Sequence, residues 1–195
     1  MVKTGSDYVY DLISSPMGKV GIVRRTKGSR PVRMIFLPHK GASTRERIRE
    51  TFPAAVPSSG ERDKTGMQIE AYLAGDAVSF SIAELDFEGY GEFERRVLLA
   101  DHQIPRGRVM TYGGLAAKAG VPGGARAVGN VMAGNPFPLI IPCHRVIRSD
   151  GSLGGFGGGL AMKRALLERE GVAFDRKGCV VSKHILQDPA PRNKR

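Results

Sequence analysis

The sequence predicts an α+β protein in two unlike halves, a small sheet-and-helix domain followed by a mainly helical one. Three observations predict it. Residues 8–37 carry β-rich runs divided by turn signals. From Glu92 the character changes to short amphipathic helices punctuated by glycine. Between two of those helices an apolar stretch, Asn135 to Ile147, delivers a thiol and an imidazole side by side, Cys143 and His144.

The first half opens with Tyr8 to Ser14, a β-rich run. Ser15-Pro16-Met17-Gly18 is a turn signal, so Lys19 to Arg24 is expected to return as the second strand of a hairpin. A turn over Thr26–Pro31 leads to a strand over Val32–Leu37. Thr44–Thr51 is charged and fits a short helix, and Phe52–Gly60, with its prolines and serines, reads as a loop. Met67, Ile69, Tyr72 and Leu73 have helical spacing within Thr65–Ala74, with Gly75 as the stop. Val78–Ile82 alternates as an edge strand would, and Asp86–Gly91 reads as a linker.

In the second half, Phe93, Val97, Leu98, Ala100, Asp101 and Ile104 have amphipathic spacing that stops before Pro105-Arg106-Gly107. Thr111 is a candidate N-cap for a short helix ending at Gly120. Pro122 is expected to open the next helix from its tolerated first position, with Ala125, Val128 and Met132 on one packed face. Two short helices about a glycine turn fit a helix-turn-helix, although ordinary αα-hairpins share that pattern. The second helix has an exposed face of small residues, Gly123, Gly124, Ala125, Ala127 and Gly129, with Arg126 rising among them. Glycine costs about 1 kcal/mol against alanine inside a helix, so such a face suits close approach to a partner such as a DNA groove, with Arg126 intruding. A final helix, Leu160–Glu170, is expected to bury Leu160, Leu166 and Leu167 and to end at Gly171. Glu170 there opposes the helix dipole, a placement that marks a carboxylate wanted for another task.

The composition bounds the partners. The chain has 195 residues, 41% hydrophobic and 25% charged, an ordinary globular balance. Lys and Arg number 30 against 19 Asp and Glu, a net charge of +11 that favours a polyanion such as nucleic acid. No apolar run is long enough to span a bilayer, and the polar start, Met1–Asp7, lacks a signal-peptide core, so an intracellular, soluble protein is expected. Two cysteines make no disulfide framework, and the four histidines lack metal-ligand spacing, so no metal and no cofactor are expected. A free cysteine is most often a small buried hydrophobe. Cys143, placed by Pro136, Pro138 and Pro142 at a rigid turn with His144 beside it, argues against that reading. The glycine-rich run Gly151–Gly159 that follows reads as a pocket wall where backbone approaches a flat ligand.

These motifs together resemble the O6-alkylguanine-DNA alkyltransferases (methylated-DNA–protein-cysteine methyltransferases). The resemblance rests on Asn135-Pro136-x-Pro138 and Pro142-Cys143-His144-Arg145-Val146, on Ala125-Arg126-Ala127-Val128-Gly129, on Tyr112, and on Gly158-Gly159-Leu160-Ala161 with Glu170-Gly171. It covers roughly residues 92 to 172 in the family's order and spacing. It implies a ribonuclease H-like domain over 1–88, a winged-helix-like helix-turn-helix domain over 89–172, and a basic tail over 173–195.

The activity implied is direct reversal of DNA damage. The alkyl group of O6-alkylguanine, with O4-alkylthymine the second candidate lesion, would pass irreversibly to Cys143 after the nucleotide is flipped from the duplex. Each molecule would act once. Cys143, His144 and Glu170 would form nucleophile, base and orienter. Asn135 would brace the thiol-bearing turn, and Tyr112 would crowd the phosphate and supply a proton to the departing guanine. Met132, Val146, Leu153, Gly154, Gly155, Phe156, Gly157 and Gly158 would hold the base. Arg126, Ala125, Ala127, Gly129, Gly113 and Ser149 would meet the DNA. The implied partner is double-stranded DNA, not a membrane, bound by a monomer in the cytoplasm at the nucleoid, or in the nucleus of a eukaryote.

The chain departs from some members. It lacks the cysteines of a structural zinc site in the first domain; Phe156 stands where some have Tyr, and Gly157 where some have Ser, which opens the pocket and removes a polar contact. Leu98-Leu99-Ala100-Asp101-His102 lacks an aromatic often found in that helix. A non-repairing alkylated-DNA binder would replace the cysteine, a helix-turn-helix regulator would not need Cys143-His144 with Glu170, and a Cys-His hydrolase usually uses a non-adjacent histidine. Cys179 has no basic partner in sequence and is expected to be a bystander.

Overall fold

The computed structural model describes residues 6–28, 31–59 and 63–187. Most of the polar N-terminus, part of the Thr26–Pro31 turn, Gly60 and the basic run Pro191–Arg195 lie outside the described residues. The chain divides into two compact units: residues 1–88 with 136–140, and residues 89–135 with 141–195.

In the first unit, β1 (Tyr8–Ser15) and β2 (Gly18–Arg25) form the expected hairpin, and β3 (Val32–Phe36) pairs antiparallel with β2. The Phe52–Gly60 loop contains a short strand, β4 (Val56–Pro57), which pairs parallel with β1 and completes the order β3-β2-β1-β4. Helix α1 (Thr44–Thr51) starts at a capping box in which Ser43 and Glu46 satisfy each other's backbone N–H. It lays Ile48 against β2, where a Cβ on Gly21 would come 2.6 Å from Ile48 Cδ1. Tyr10, Val23, Phe36 and Ile48 form the core. Helix α2 (Lys64–Ala74) begins at the Asp63 cap and stops at Gly75, whose φ of 119° is left-handed.

Val78–Ile82 does not form the expected edge strand. Its alternation has another cause: Phe80 packs edge-on to Tyr72 of α2, and the Ser79 carbonyl accepts from Gln68 Nε2 at 3.1 Å. One-sided burial against a helix gives the same period of two as a ladder. Residues 136–140 belong to this unit, with the Ile35 N–H donating to the Pro136 carbonyl at 2.8 Å and Phe137 packed on Phe87.

The second unit begins with α3 (Glu92–His102) and continues through β5 (Met110–Thr111), α4 (Tyr112–Lys118) and α5 (Ala125–Ala133). Thr111 caps α4 through Gly114 N–H at 2.9 Å. α4 and α5 pack on each other and both pack on α3. The start of α5 corrects the sequence expectation. Pro122 does not open it: Val121–Gly124 is a turn closed by a 2.9 Å bond, and Gly123 has φ 84°. The helix starts only at Ala125, so Gly123 and Gly124 are turn residues rather than part of its face.

A 3₁₀ turn, Cys143–Arg145, leads into β6 (Val146–Ile147), parallel to β5. Helix α6 (Leu160–Arg169) buries Met162, Lys163, Leu166 and Leu167, while Leu160, expected inside, is 55% exposed. Residues 173–187 are not a separate tail. Ile185 bridges Val109, the Val180 N–H donates to the Gly151 carbonyl at 2.9 Å, and Phe174, Val180 and Ile185 join the core of Val109, Ile147, Leu167 and Val172. Among the described residues no helix is long and apolar enough to cross a membrane.

Candidate active site

Cys143 is set by the turn that carries it. Pro142 immediately precedes the 3₁₀ turn, and the Asn135 side chain holds the approach, donating from Nδ2 to the Ile141 carbonyl at 2.9 Å. Leu139, upstream, has φ 77°, uncommon for a residue with a Cβ. Cys143 is buried yet lines a cavity of about 360 Å³ with Tyr112, Gly129, Met132, Ala133, Gly155, Phe156 and Gly157. Burial foremost, then the charge of Asp101, pushes its thiol up to about 12, against the hydrogen bond of Asn135 and the charge of Lys163. At neutral pH the group is therefore a thiol, and the nucleophilic thiolate must be formed on demand.

His144 and Glu170 are fully buried at their side chains and meet at 3.0 Å, His144 Nε2 to Glu170 Oε1. Glu170 is the C-cap of α6, and its position opposite the helix dipole is resolved by Arg145. Arg145 donates from Nε to Oε2 at 2.9 Å and from Nη2 to Oε1 at 2.7 Å. Its Nη1 is tied to the Ile104 carbonyl at 2.6 Å. Burial alone would raise Glu170, but the His144 hydrogen bond and the Arg145 guanidinium outweigh it and hold the carboxyl well below its usual range. Burial lowers His144, opposed by Glu170. With the imidazole neutral, Arg145 is the cation that keeps Glu170 ionised.

The predicted pocket residues divide. Met132, Gly155, Phe156 and Gly157 line the cavity, joined by Gly129, expected at the DNA, and by Ala133, which sequence reasoning missed. Gly154 supports the wall: a Cβ there would lie 3.1 Å from Cε2 and Oη of Tyr112, and its φ is 68°. Gly158 packs against Met162, whose Sδ would be 2.4 Å from an added Cβ. Leu153 packs on the hydrophobic core, and Val146 is buried in β6 with its carbonyl accepting from Lys163 Nζ at 2.6 Å. Tyr112, first residue of α4, is half-buried; burial and then the nearby Cys143 raise its pKa. On α5, Arg126 and Ala127 are exposed and Ala125 and Gly129 partly so; Gly113 on α4 is half-buried, and Ser149 is exposed in a turn.

Two further buried charges were not singled out as functional from the sequence. Lys163 on α6 is fully buried and donates to the carbonyls of Val146 and, at 3.2 Å, Gly155. Asp101 on α3 is also fully buried. Each is a charged residue at a helix position facing the core, which is the signal that marks them. Among the described residues, no group of three or more His, Cys, Asp or Glu side chains is placed to hold a metal.

Comparison with known proteins decides the family. A Mycobacterium bovis methylated-DNA–protein-cysteine methyltransferase is 37% identical over 161 residues, covering 83% of this chain and 91% of the relative. The chain belongs to the methylated-DNA–protein-cysteine methyltransferase family. The family profile described as 6-O-methylguanine DNA methyltransferase, DNA binding domain, matches residues 92–172. A methylated-DNA–protein-cysteine methyltransferase of Methanothermobacter thermautotrophicus is 50% identical over 107 residues, 55% of this chain and 60% of that relative. The crystal structure of Mycobacterium tuberculosis OGT in complex with DNA aligns with a TM-score of 0.68 and 36% identity over 83% of this chain and 92% of that one. The methyltransferase family thus accounts for both units, an α+β arrangement with the helix-turn-helix in the second.

Proposed function

We propose that this methyltransferase repairs DNA by moving the alkyl group of O6-alkylguanine, methyl above all, onto Cys143, with O4-alkylthymine the second candidate lesion. The observation that carries the reading is one arrangement: a thiol on a cavity floor, adjacent to a neutral imidazole whose far nitrogen is fixed by a buried, Arg-held carboxylate. The cavity is walled by the helix-turn-helix on one side and the glycine loop on the other.

The lesion's alkyl carbon is inaccessible inside a stacked duplex, so the nucleotide must rotate out. Exposed Arg126 on the small-residue face of α5 occupies the gap, and Ala125, Ala127, Gly129, Gly113 and Ser149 let the groove and backbone approach. Tyr112 at the start of α4 crowds the target phosphate. In the cavity the base lies on Met132 and Phe156, with its edge on the 153–158 loop and on backbone at Val146. His144, through a water, draws the proton from Cys143, and Asn135 steadies the sulfur. The S–C bond forms as the C–O6 bond breaks; the electron pair leaves with guanine, which takes a proton through the Tyr112 hydroxyl. The thiol proton has in effect moved to the guanine. The product thioether has no leaving group, so the protein is a single-use acceptor acting as a monomer on duplex DNA, at the nucleoid or, in a eukaryote, the nucleus.

The test is intact mass after incubation with a duplex holding one O6-methylguanine. One methyl, mapped to Cys143 and absent from Cys143→Ala, is the expected result. No adduct, or an adduct on Cys179, overturns the mechanism.

A further inference from the structure

Near Cys143 the second unit buries a carboxylate that the alkyl-transfer reaction does not use. Asp101 stands on the inner face of α3 with no exposed surface, and among the described residues neither of its carboxylate oxygens has a hydrogen-bond donor. A buried carboxylate without donors is costly unless a charge answers it.

The charges around it can be counted from the contacts. Arg145 and Glu170 neutralise one another, and His144 is neutral. Lys163 is fully buried, and its ammonium rests on two carbonyls, those of Val146 and Gly155. Its positive charge is thus left to the two acidic groups within its field, Asp101 and Cys143. The 3₁₀ turn brings Arg145 and Cys143 toward Asp101, α6 brings Lys163, and α4 brings Lys118 and Tyr112. Helix α5, also packed on α3, buries only the apolar Val128 and Met132.

We propose that Asp101 and Cys143 share a single negative charge balanced by Lys163, so that the thiol releases its proton readily only while Asp101 holds one. Asp101 touches no reacting atom; it is a positioning residue that acts on the charge of the sulfur. The field is consistent with this role. Burial raises Asp101 to about 7, against the pull of Arg145, Lys163 and Lys118, so its proton is in play at neutral pH. Its ionised form in turn raises Cys143, and Lys163 is raised by both acids against a larger lowering by burial that brings it to about 8. Two like charges that cannot both exist titrate as a pair.

The inference rests on the alkyl-transfer reading, and the experiment separates the two. Single-turnover methyl transfer from saturating O6-methylguanine duplex is followed by intact mass across the neutral pH range, for the wild type, Asp101→Asn and Asp101→Leu. In the wild type, log rate rises with pH, flattens near neutrality as Asp101 ionises, and rises again. Both variants lack the flattening: they match the wild type below the break, are about twofold faster at the Asp101 transition, and above it reach a given rate about one pH unit lower, approaching about tenfold faster. Variant profiles that superimpose on the wild type overturn the proposal. Should neither variant fold, a wild-type profile that climbs through neutrality without a break overturns it, and a break there supports it. No transfer by the wild type at any pH refutes the alkyl-transfer reading itself.

Discussion

The guanidinium of Arg145 and the carboxylate of Glu170 lie fork to fork, Nε 2.9 Å from Oε2 and Nη2 2.7 Å from Oε1. This pairing explains how a carboxylate at the C-terminal end of a helix stays ionised, and it fixes the oxygen that receives His144 Nε2 at 3.0 Å. Arg145 therefore does for Glu170 what Glu170 does for His144.

Glu170→Gln should remove both charge and orientation. Leaving Arg145 unanswered in a buried pair should cost about 3 kcal/mol of stability, and methyl transfer should slow by about 100-fold or more. Thermal melts and single-turnover mass kinetics measure the two. The pH dependence has a definite sign. Because Glu170 is held below its ordinary 4.5, its stabilising contribution is complete above that value and is lost as pH falls below it. The variant should lack that share of the acid sensitivity.

Arg126→Ala tests the role of the exposed α5 side chain. It should slow repair in duplex by about tenfold or more, since an unfilled gap favours return of the base to the stack. Reaction with free O6-benzylguanine, which needs no flipping, should change by less than about threefold. Equal slowing on both substrates would remove Arg126 from the flipping step.

Much of the site was legible because its chemistry is local. Cys143 and His144 are neighbours, and Glu170 betrayed itself by opposing a helix dipole. Thr111 caps α4 through its hydroxyl, and Gly75 stops α2 with the left-handed backbone that glycine adopts freely. What escaped depended on distant partners. β4 exists only because Val56 and Pro57 meet β1. Val78–Ile82 alternates because of α2, and Pro122, though compatible with a helix start, is followed by Gly123 at a positive φ. Lys163 and Asp101 gain meaning only when α6 and α3 bring them near Cys143, and that convergence is not encoded in spacing along either helix.

Residues 173–187 are a case of the same kind with a measurable consequence. The resemblance implied a basic tail over 173–195, yet Phe174, Val180 and Ile185 close the core over Val109, Ile147 and Leu167. Truncation after Val172 should therefore cost about 3 kcal/mol or more in stability. A truncated protein that melts like the full chain and only binds DNA more weakly would contradict this.

The glycine wall offers a paired test. Gly154→Ala forces a side chain into φ 68° and sets its Cβ 3.1 Å from Tyr112. Stability should fall by about 1–2 kcal/mol, and displacement of the Tyr112 hydroxyl should slow transfer by about 10- to 100-fold. Gly157→Ser adds a Cβ with nothing within 4 Å, so stability should change by less than about 0.5 kcal/mol.

Asp101 should also leave a mark on stability that is independent of the reaction. Its ordinary pKa is 3.8 and burial, foremost, carries it to about 7 in the folded protein. Between those values the native state binds a proton that the unfolded state has released, so stability must fall as pH rises through the window. The slope from this group approaches about 1.4 kcal/mol per pH unit. Above about 7 both states are ionised and the penalty stays constant. Asp101→Leu abolishes the term while Lys163 stays protonated, so the variant should gain on the wild type steadily from acid to neutral pH and no further beyond. Denaturant unfolding of both proteins at a series of pH values reads the difference directly. Parallel stability curves would mean that Asp101 ionises in the folded protein as it does in the unfolded chain, and that the buried charge is answered by a group other than Lys163.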